Sequence, residues 1–299
     1  MDTTTRRISV LPGDGIGTEV IDVALDQLPG NFEIERLDVG AERYLSTGRL
    51  LEEEDLTTIR ESDALLFGAI GDPRVPDGVL ERGVLLRLRK ELDLYVNLRP
   101  FPELGVTFVR ENTEGPYSGV GTRDPDTATE TSVNTRAAID RCARYAFELA
   151  ASGGSRLTWV HKTNVLVHAG SLWAEIVKGV AQDFPEVLLD YQHADAAAYL
   201  LVMEPERFDV VLTDNLFGDL LSDLAAGLSG GLGSAASANL HPEPATRPYR
   251  CIGLFEPVHG SAPDIAGTGS ADPTAAIRAA QMLINALDKE PMTISRNGR

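Results

Sequence analysis

Residues 208–225, FDVVLTDNLFGDLLSDLA, read as a buried strand, a short turn and a helix. Within the helix, Asp219 and Asp223 are four residues apart, a spacing that places both carboxylates on one face. Like charges at this spacing mildly destabilise a helix, so they are either solvated on an outer face or bind a ligand. A strand–turn–helix junction is where α/β proteins place ligand sites, and carboxylate oxygens suit Mg²⁺ or Mn²⁺.

The composition, 43% hydrophobic and 24% charged, is that of a globular protein, and 299 residues are enough for two modest α/β domains or one large one. We find no apolar run long enough for a membrane span, no secretory signal, and two cysteines, Cys142 and Cys251, which are too few for a disulfide framework. These features predict a cytoplasmic protein without a membrane partner, and the net charge of −18 argues against a nucleic-acid partner. Any site for an anionic substrate must therefore supply its own arginines.

Strand-like and helix-like segments alternate along the chain, which predicts an α/β fold with mixed sheets flanked by helices. A clear helix is predicted from about Arg136 to Ala151, with Thr135 as its N-cap. A second helical pattern, LLRLRKELDLYVNLRP, is predicted to continue until Pro100. The early glycines are spaced G-x-G-x-G, which differs from the dinucleotide-binding fingerprint and is weak alone.

Polar residues at the predicted strand ends and helix starts could carry chemistry. Arginines bind carboxylates in a two-pronged geometry, aspartates bind divalent metals, and lysine and tyrosine can move protons. Taken singly, an arginine is more often a surface charge and a tyrosine more often a packing group, whereas Lys162, at a strand end among apolar residues, favours neither reading. Together they indicate a site for an anionic substrate and a metal: Arg89, Arg99, Arg110, Tyr117, Lys162, Asp195, Asp219 and Asp223.

Six motifs give the sequence a family resemblance: LPGDGIGTEV, LRKELDLYVNLRP, VRENTEG, HKTNVL, DNLFGDLLSDL and FEPVHGSAPDIAG. In this order, and to about residue 285, they resemble the β-decarboxylating dehydrogenases, which include 3-isopropylmalate, isocitrate, homoisocitrate and tartrate/malate dehydrogenases. The resemblance implies a two-domain fold that is not a Rossmann fold. It places a cofactor-binding domain at 1–99 plus 230–299, shorter at its C-terminal end than in relatives. The domain with the dimer contacts and the metal ligands would cover 100–229.

The resemblance also assigns roles to the polar residues. The three arginines, Arg89, Arg99 and Arg110, would hold the carboxylates of a malate. Asp219 and Asp223, with Asp195 from the other subunit of a homodimer, would hold Mg²⁺ or Mn²⁺. Lys162, also from the other subunit, would take the C2 hydroxyl proton with the help of an aspartate such as Asp219. Tyr117 would protonate C3 after loss of CO₂.

The cofactor implied by the resemblance is NAD. Asp264 followed by Ile265 resembles the NAD-selecting pair, because a carboxylate accepts hydrogen bonds from ribose hydroxyls and repels a 2′-phosphate. Members that select NADP carry a basic residue and a tyrosine there. The expected cofactor contacts are Ile16, Asn164, Glu256, His259, Gly260, Ser261, Asp264, Ile265 and Asp272.

The substituent on C3 of the malate would meet Leu85, Leu86 and Val165, an apolar set that suits an isopropyl group. The expected reaction converts (2R,3S)-3-isopropylmalate to 4-methyl-2-oxopentanoate in leucine biosynthesis. Arg82 and Arg87 lie close by and either face solvent or meet an anionic substituent. The alternatives are a malate of the homoisocitrate, tartrate/malate or phosphonomethylmalate type, or a non-catalytic regulatory or structural homologue.

Overall fold

The structure is a computed structural model that describes residues 5–153, 156–290 and 292. The strands are β1 (Arg6–Gly13), β2 (Phe32–Arg36), β3 (Ala64–Ala69), β4 (Val96–Phe101), β5 (Val106–Glu111), β6 (Gly115–Arg123), β7 (Ala128–Val133), β8 (Leu157–His161), β9 (Leu189–His193), β10 (Val210–Thr213), β11 (Ala236–Leu240) and β12 (Gly253–Pro257). The helices are α1 (Gly17–Leu25), α2 (Ala41–Thr47), α3 (Glu53–Glu61), α4 (Leu86–Glu91), α5 (Arg136–Gly153), α6 (Val167–Val180), α7 (Ala194–Met203), α8 (Asn215–Leu228) and α9 (Thr274–Asp288). No helix in these ranges is both long and apolar enough to cross a membrane.

The described chain forms two compact units. The first unit contains the chain up to Leu94 and from Gly230 to Met292, and the second contains Tyr95–Ser229. The sequence placed the first border after residue 99, whereas the structure places it after Leu94. The difference arises because β4 pairs with β5 along its whole length and so belongs to the second unit. Residues 293–299 of the expected first domain lie outside the described residues.

The first unit is built on strands in the order β2-β1-β3-β12-β11. All neighbours in this order are parallel except β11 and β12, which are antiparallel. Helices α1 and α9 pack together over the middle strands. Leu56 of α3 and Leu88 of α4 form a buried apolar cluster with Leu65 and Phe67 of β3. Leu65 and Phe67 are two residues apart and therefore point to the same face of the strand.

One predicted helix is wrong in its second half. The pattern expected to reach Pro100 begins as a π-helical turn, Glu81–Leu85, continues as α4 and ends at Glu91. The chain then turns at Asp93, whose φ is 49°, and enters β4. The antiparallel ladder to β5, from Val96 opposite Glu111 onward, is a non-local interaction that overrides the local helical spacing.

The second unit carries strands in the order β4-β5-β10-β8-β9, and β5, β10, β8 and β9 are mutually parallel. Helices α5 and α6 pack against each other, as do α7 and α8. The predicted cap is present, since Thr135 Oγ1 accepts a bond from Ala138 N at 3.3 Å. Strands β6 and β7 form a separate, exposed antiparallel hairpin. The parallel order places the carboxyl ends of four strands at one edge of the sheet.

Candidate active site

That edge of the second unit collects several of the polar residues singled out in the sequence. Arg110 lies near the end of β5, Lys162 directly follows β8, and Asp195 lies just after β9. Asp214 follows β10 and begins α8, which carries Asp219. Because the strands are parallel, residues from distant parts of the chain lie side by side without any loop having to cross the sheet.

Asp219 is the central acceptor of a polar cluster. Its Oδ2 accepts a hydrogen bond from the Tyr117 hydroxyl at 2.5 Å, and its Oδ1 is bonded by Nη1 of Arg110. Nη2 of Arg99 lies 3.5 Å from the same Oδ1. The carboxylate keeps 33% of its side-chain surface exposed, whereas the Arg110 side chain is 1% exposed. The carboxylate of the cluster is therefore accessible to solvent, and the arginines lie buried beneath it.

Both arginines are held in place by neutral side chains that the sequence reasoning missed. Asn215 Oδ1 accepts from Nε and Nη2 of Arg110 at 2.9 and 2.7 Å. Asn97 Oδ1 accepts from Nε of Arg99 at 2.8 Å, and Ser222 Oγ lies 2.9 Å from its Nη1. Guanidinium groups fixed in this way are preorganised for a carboxylate ligand. A sequence signal did exist, because Asn97 precedes Arg99 by one strand period.

Gly218 lets α8 approach β5 closely. A Cβ at this position would lie 2.4 Å from Thr213 Oγ1 and 2.6 Å from Cγ of Arg110. Any larger residue would push the helix, and with it Asp219, away from the arginine. The close packing around Arg110 thus explains why DNLFGDLLSDL has a glycine at this position.

Asp223 lies one helical turn after Asp219, as the spacing predicted. Its Oδ1 accepts from Nη1 of Arg99 at 2.9 Å, and its side chain is 52% exposed. Burial raises the pKa of Asp223, the Arg99 charge opposes this, and the negative charge of Asp219 raises the pKa further. A divalent cation would relieve that repulsion, and two carboxylates in an open cluster are a donor set that suits Mg²⁺ or Mn²⁺. The residues present therefore fit such an ion.

Lys162 and Asp195 form a pair of their own. Nζ of Lys162 lies 2.5 Å from Oδ1 of Asp195, and this hydrogen bond is the main cause of the lowered pKa of Asp195. Asp195 is not joined to Asp219 and Asp223 within one chain, since the described residues contain no group of three or more His, Cys, Asp or Glu side chains suited to a metal. The sequence had assigned Asp195 and Lys162 to a second subunit, and this remains a prediction.

Residues expected to meet the cofactor begin in the first unit, at the turn between β1 and α1. Ile16 N donates to the carbonyl of Ser261 at 2.8 Å, and both residues are buried. Gly15 has a φ of +56°, and a Cβ there would lie 1.9 Å from the Ser261 carbonyl oxygen. Asp14 supports the same turn by accepting from the backbone N–H groups of Ala41 and Gly71. The loop that follows β12 is therefore held against this turn.

The remaining cofactor candidates differ in their surroundings. Glu256 is buried and accepts from Nδ2 of Asn239 at 2.7 Å, while Asp272 accepts from the N–H and hydroxyl of Thr274 at the start of α9. His259 has a buried Nε2 with no hydrogen-bond partner in the described part of the chain. A polar atom left unsatisfied in this way fits a ligand group that is absent from the chain itself. Further candidates are exposed or half-buried: Asn164, Gly260, Asp264 and Ile265.

The residues expected around the C3 substituent lie in both units. Leu85 is half-buried and packs on the core of the first unit, Leu86 is half-buried, and Val165 of the second unit is 64% exposed. Arg89 is buried in the first unit, with Nη2 3.4 Å from Oε1 of Glu256.

The structure places the two neighbouring arginines differently. Nη1 of Arg87 donates to the Leu51 carbonyl at 2.5 Å, so this side chain is bound within its own unit. Arg82 is exposed, and its guanidinium lies over Gly78. The exposure of Arg82 agrees with the reading in which it faces solvent, whereas Arg87 is held by the Leu51 carbonyl.

His161 and Asp214 form a buried pair beside the site that the sequence did not predict. The His161 ring is 0% exposed, and its Nε2 lies 3.6 Å from Oδ2 of Asp214. Burial lowers the pKa of His161 to about 4. Burial, reinforced by the charge of Glu111, raises the pKa of Asp214 to about 6, although the Phe217 N–H and Arg110 act in the opposite direction.

Asp214→Asn is expected to stabilise the protein at neutral pH. The raised folded-state pKa means that Asp214 contributes stability below its ordinary value of 3.8, which is lost as the pH rises through about 6. At about pH 7.5 the ionised carboxylate costs about 1–3 kcal/mol, and asparagine keeps the helix cap without this cost. Urea unfolding between about pH 4 and pH 7.5 should show a gain that shrinks towards acid.

Asp140→Asn is the matched control, since Asp140 is an exposed partner of Arg144 on α5. It should change the free energy of unfolding by less than about 1 kcal/mol at every pH. A gain in Asp214→Asn that does not depend on pH, or a loss at neutral pH, would contradict the raised pKa of Asp214 in the folded protein.

Buried guanidiniums facing carboxylates, a tyrosine hydroxyl and a lysine held by an aspartate are residue types that suit an enzyme acting on an anionic substrate with proton transfer. Comparison with known proteins names the class. The chain belongs to the isocitrate/isopropylmalate dehydrogenase family, because the sequence model of that family matches residues 7–294. The expectation drawn from the sequence motifs is thereby confirmed, together with the α/β fold of this family and the enzymatic, β-decarboxylating dehydrogenase class.

Several named proteins of this family are similar to the chain in sequence or in structure. The 3-isopropylmalate dehydrogenase of Nocardia farcinica is 52% identical over 94% of this chain and 89% of its own length. That of Corynebacterium efficiens is 53% identical over 95% of this chain and 88% of its own. Among solved structures, the isocitrate dehydrogenase of Methylococcus capsulatus superposes with a TM-score of 0.85 at 37% identity, covering 94% of this chain and 86% of that one.

Proposed function

We propose that the protein catalyses the NAD-dependent oxidative decarboxylation of (2R,3S)-3-isopropylmalate to 4-methyl-2-oxopentanoate, a step of leucine biosynthesis. The observation that carries this proposal is the cluster in which Arg99, Arg110 and Tyr117 converge on Asp219. Relatives that bear the name 3-isopropylmalate dehydrogenase and share about half of their residues with this chain support the choice of substrate.

Arg99 and Arg110 are proposed to bind malate carboxylates. Both are buried, and both are oriented by Asn97, Asn215 or Ser222. A guanidinium that is fixed beforehand loses little side-chain entropy when it binds a carboxylate, so binding energy is kept for orientation of the substrate. Arg89, in the first unit, is proposed to add a third guanidinium.

Asp219 and Asp223 would hold Mg²⁺ or Mn²⁺, with Asp195 of the partner subunit as a further ligand. Such a metal would supply a Lewis acid for the C2 oxygen and for the negative charge that decarboxylation generates, and NAD⁺ would supply the hydride acceptor. Asp219 then has two tasks, because it also fixes Arg110 and the Tyr117 hydroxyl. It follows that Asp219 links metal binding to the orientation of the proton donor.

Two groups of the chain are proposed to move protons. Lys162, as the neutral amine, takes the proton of the C2 hydroxyl and becomes an ammonium group, and its hydrogen bond with Asp195 holds the amino group near the carboxyl edge of the sheet. Tyr117 donates its hydroxyl proton to C3 after CO₂ has left. The Arg110 guanidinium carbon lies 5.2 Å from the centre of the Tyr117 ring, so a cation is at hand to stabilise the phenolate that forms.

A homodimer with shared active sites is part of this proposal. Apolar side chains are exposed along α7 and α8, namely Tyr199, Val202, Met203, Leu216, Leu220 and Leu228. An apolar patch of this kind commonly marks a contact with another protein chain. Two such helices suit an isologous interface with a second copy, which would bring Lys162 and Asp195 of the partner subunit to the Asp219 cluster.

NAD is proposed as the cofactor rather than NADP. Asp264 is exposed and Ile265 is half-buried, so both can be replaced without disturbing a core. The double variant Asp264→Lys, Ile265→Tyr is expected to raise kcat/KM for NADP⁺ by about 10-fold or more, because lysine attracts the 2′-phosphate that aspartate repels. Steady-state kinetics with both cofactors checks this. Asp264→Ala is the control and should lose NAD⁺ affinity without gaining NADP⁺, whereas a double variant that stays selective for NAD⁺ would contradict the assignment.

Product analysis tests the reaction itself. Purified protein, NAD⁺, Mn²⁺ and 3-isopropylmalate should yield NADH, CO₂ and 4-methyl-2-oxopentanoate in equal amounts, and EDTA should abolish all three. NADH without CO₂ would indicate a dehydrogenase that does not decarboxylate. No product despite bound Mn²⁺ and NAD⁺ would favour a non-catalytic homologue.

A further inference from the structure

The hydroxyl group of Tyr191 occupies an unusual position beside the segment that carries Lys162. Tyr191 lies on β9 opposite Trp159 of β8, and the two ring centres are 4.6 Å apart. Its hydroxyl reaches beyond the end of β8. There it lies 3.1 Å from the His161 carbonyl oxygen, 2.9 Å from Thr163 Oγ1 and 3.3 Å from Thr163 N. One side-chain atom thus contacts the residues on both sides of Lys162.

These contacts can exist together. A phenol has one proton to donate and can accept two hydrogen bonds. The N–H and the hydroxyl of Thr163 can both donate to the oxygen of Tyr191, which leaves its own proton for the His161 carbonyl or for Nδ1 of His193, 2.8 Å away. The hydroxyl is therefore bonded to the chain at the point where β8 ends.

The turn around Lys162 is also bonded on its far side. The carbonyl of Lys162 accepts from Val165 N at 3.0 Å and from Leu166 N at 2.9 Å. The side chain is long and flexible and ends at Asp195, which is 71% exposed. A proton-transfer group on such a stem depends on a fixed backbone, because displacement by about 1 Å is enough to lower a rate strongly.

We propose that the Tyr191 hydroxyl is a positioning group for Lys162. It fixes the backbone on either side of the lysine, so that the amino group is presented at one place at the edge of the sheet. This inference rests on the proton-accepting role proposed for Lys162. Tyr191 itself is not assigned any contact with substrate or cofactor.

Tyr191→Phe tests the proposal, because it removes one oxygen atom and keeps the ring against Trp159. We expect kcat to fall by about 10-fold, equivalent to about 1.4 kcal/mol, with KM for substrate and NAD⁺ changed less than about 2-fold. The limb of the kcat–pH profile that reports the proton acceptor should also shift. Thr163→Val should reproduce part of this loss, whereas the conservative variant Thr163→Ser should not. Tyr249→Phe, the same chemical change in the first unit, is the control.

Hydrogen exchange gives a readout that needs no substrate. Peptides that contain Thr163, Val165 and Leu166 should exchange several-fold faster in Tyr191→Phe than in the wild type, while peptides from α5 should not change. Unchanged exchange together with unchanged kcat would overturn the proposal. So would a loss of activity accompanied by an equal rise in KM or by general destabilisation, since that pattern belongs to a structural role. If the wild type is inactive, the proposed function fails, and exchange around Lys162 alone decides whether Tyr191 fixes the turn.

Discussion

Lys162→Ala is expected to lower kcat by about 1,000-fold or more and to leave the fold intact. The large effect follows because Lys162 is the group proposed to take the hydroxyl proton. The small effect on stability follows because the partner of Lys162, Asp195, is 71% exposed, and exposed ion pairs contribute about 0–1 kcal/mol. Steady-state kinetics, thermal unfolding and Mn²⁺ binding by calorimetry measure the three quantities.

Lys162→Arg separates charge from proton transfer. Arginine keeps the positive charge but does not give up its proton near neutral pH, so this variant should be nearly as inactive as the alanine variant. Activity within about 10-fold of the wild type in either variant would contradict the assigned role.

A mixture of Lys162→Ala and Asp219→Asn chains tests whether the site is shared between subunits. If Lys162 reaches the Asp219 cluster of the partner, a mixed dimer contains one intact site. Random mixing should then restore up to about a quarter of wild-type activity from two inactive proteins. No recovery after verified exchange of subunits would place both residues in one chain's own site.

Asp219→Asn has the second largest expected effect. It removes the negative charge that is proposed both to bind the metal and to fix Arg110 and the Tyr117 hydroxyl. Metal affinity should fall, and kcat/KM should drop by about 1,000-fold or more at limiting Mn²⁺. The free energy of unfolding should also fall, by about 1–3 kcal/mol, because the guanidinium of Arg110 is 1% exposed and loses its counter-charge. Kinetics across a Mn²⁺ titration and urea unfolding check the two parts.

Asp140→Asn again serves as the control, since it makes the same change in an exposed helix ion pair. It should leave kcat/KM unchanged and alter stability by less than about 1 kcal/mol. Metal-dependent turnover within about 10-fold of the wild type in Asp219→Asn would remove this residue from the metal site.

The alternation of strands and helices was predictable because each pattern is local. FDVVLT became β10, and the acidic helix after it became α8. The segment before Pro100 was not predictable, because β4 exists through its ladder to β5 rather than through its own spacing. Residue periodicity carries no information about which distant strand will pair.

The charged members of the site could be named from motifs, but their supports could not. Asn215 and Ser222 look like ordinary helix residues until the fold places them against buried arginines. Tyr191 is likewise one aromatic residue in a strand, and its role depends on the neighbouring strand ending at His161. The pKa shift of Asp214 also requires burial, which is a property of the packed protein.

The most direct test of the account is the specificity of the wild-type protein over 3-substituted malates. The panel contains isopropyl, methyl, carboxymethyl, carboxyethyl and phosphonomethyl substituents, each assayed with NAD⁺ and Mn²⁺ and again with EDTA. We expect metal-dependent turnover with the highest kcat/KM on the isopropyl compound, since Leu85, Leu86 and Val165 offer no charge to the substituent. Preference for a carboxylate or phosphonate substituent would contradict the proposed substrate and would bring Arg82 or Arg87 into the site.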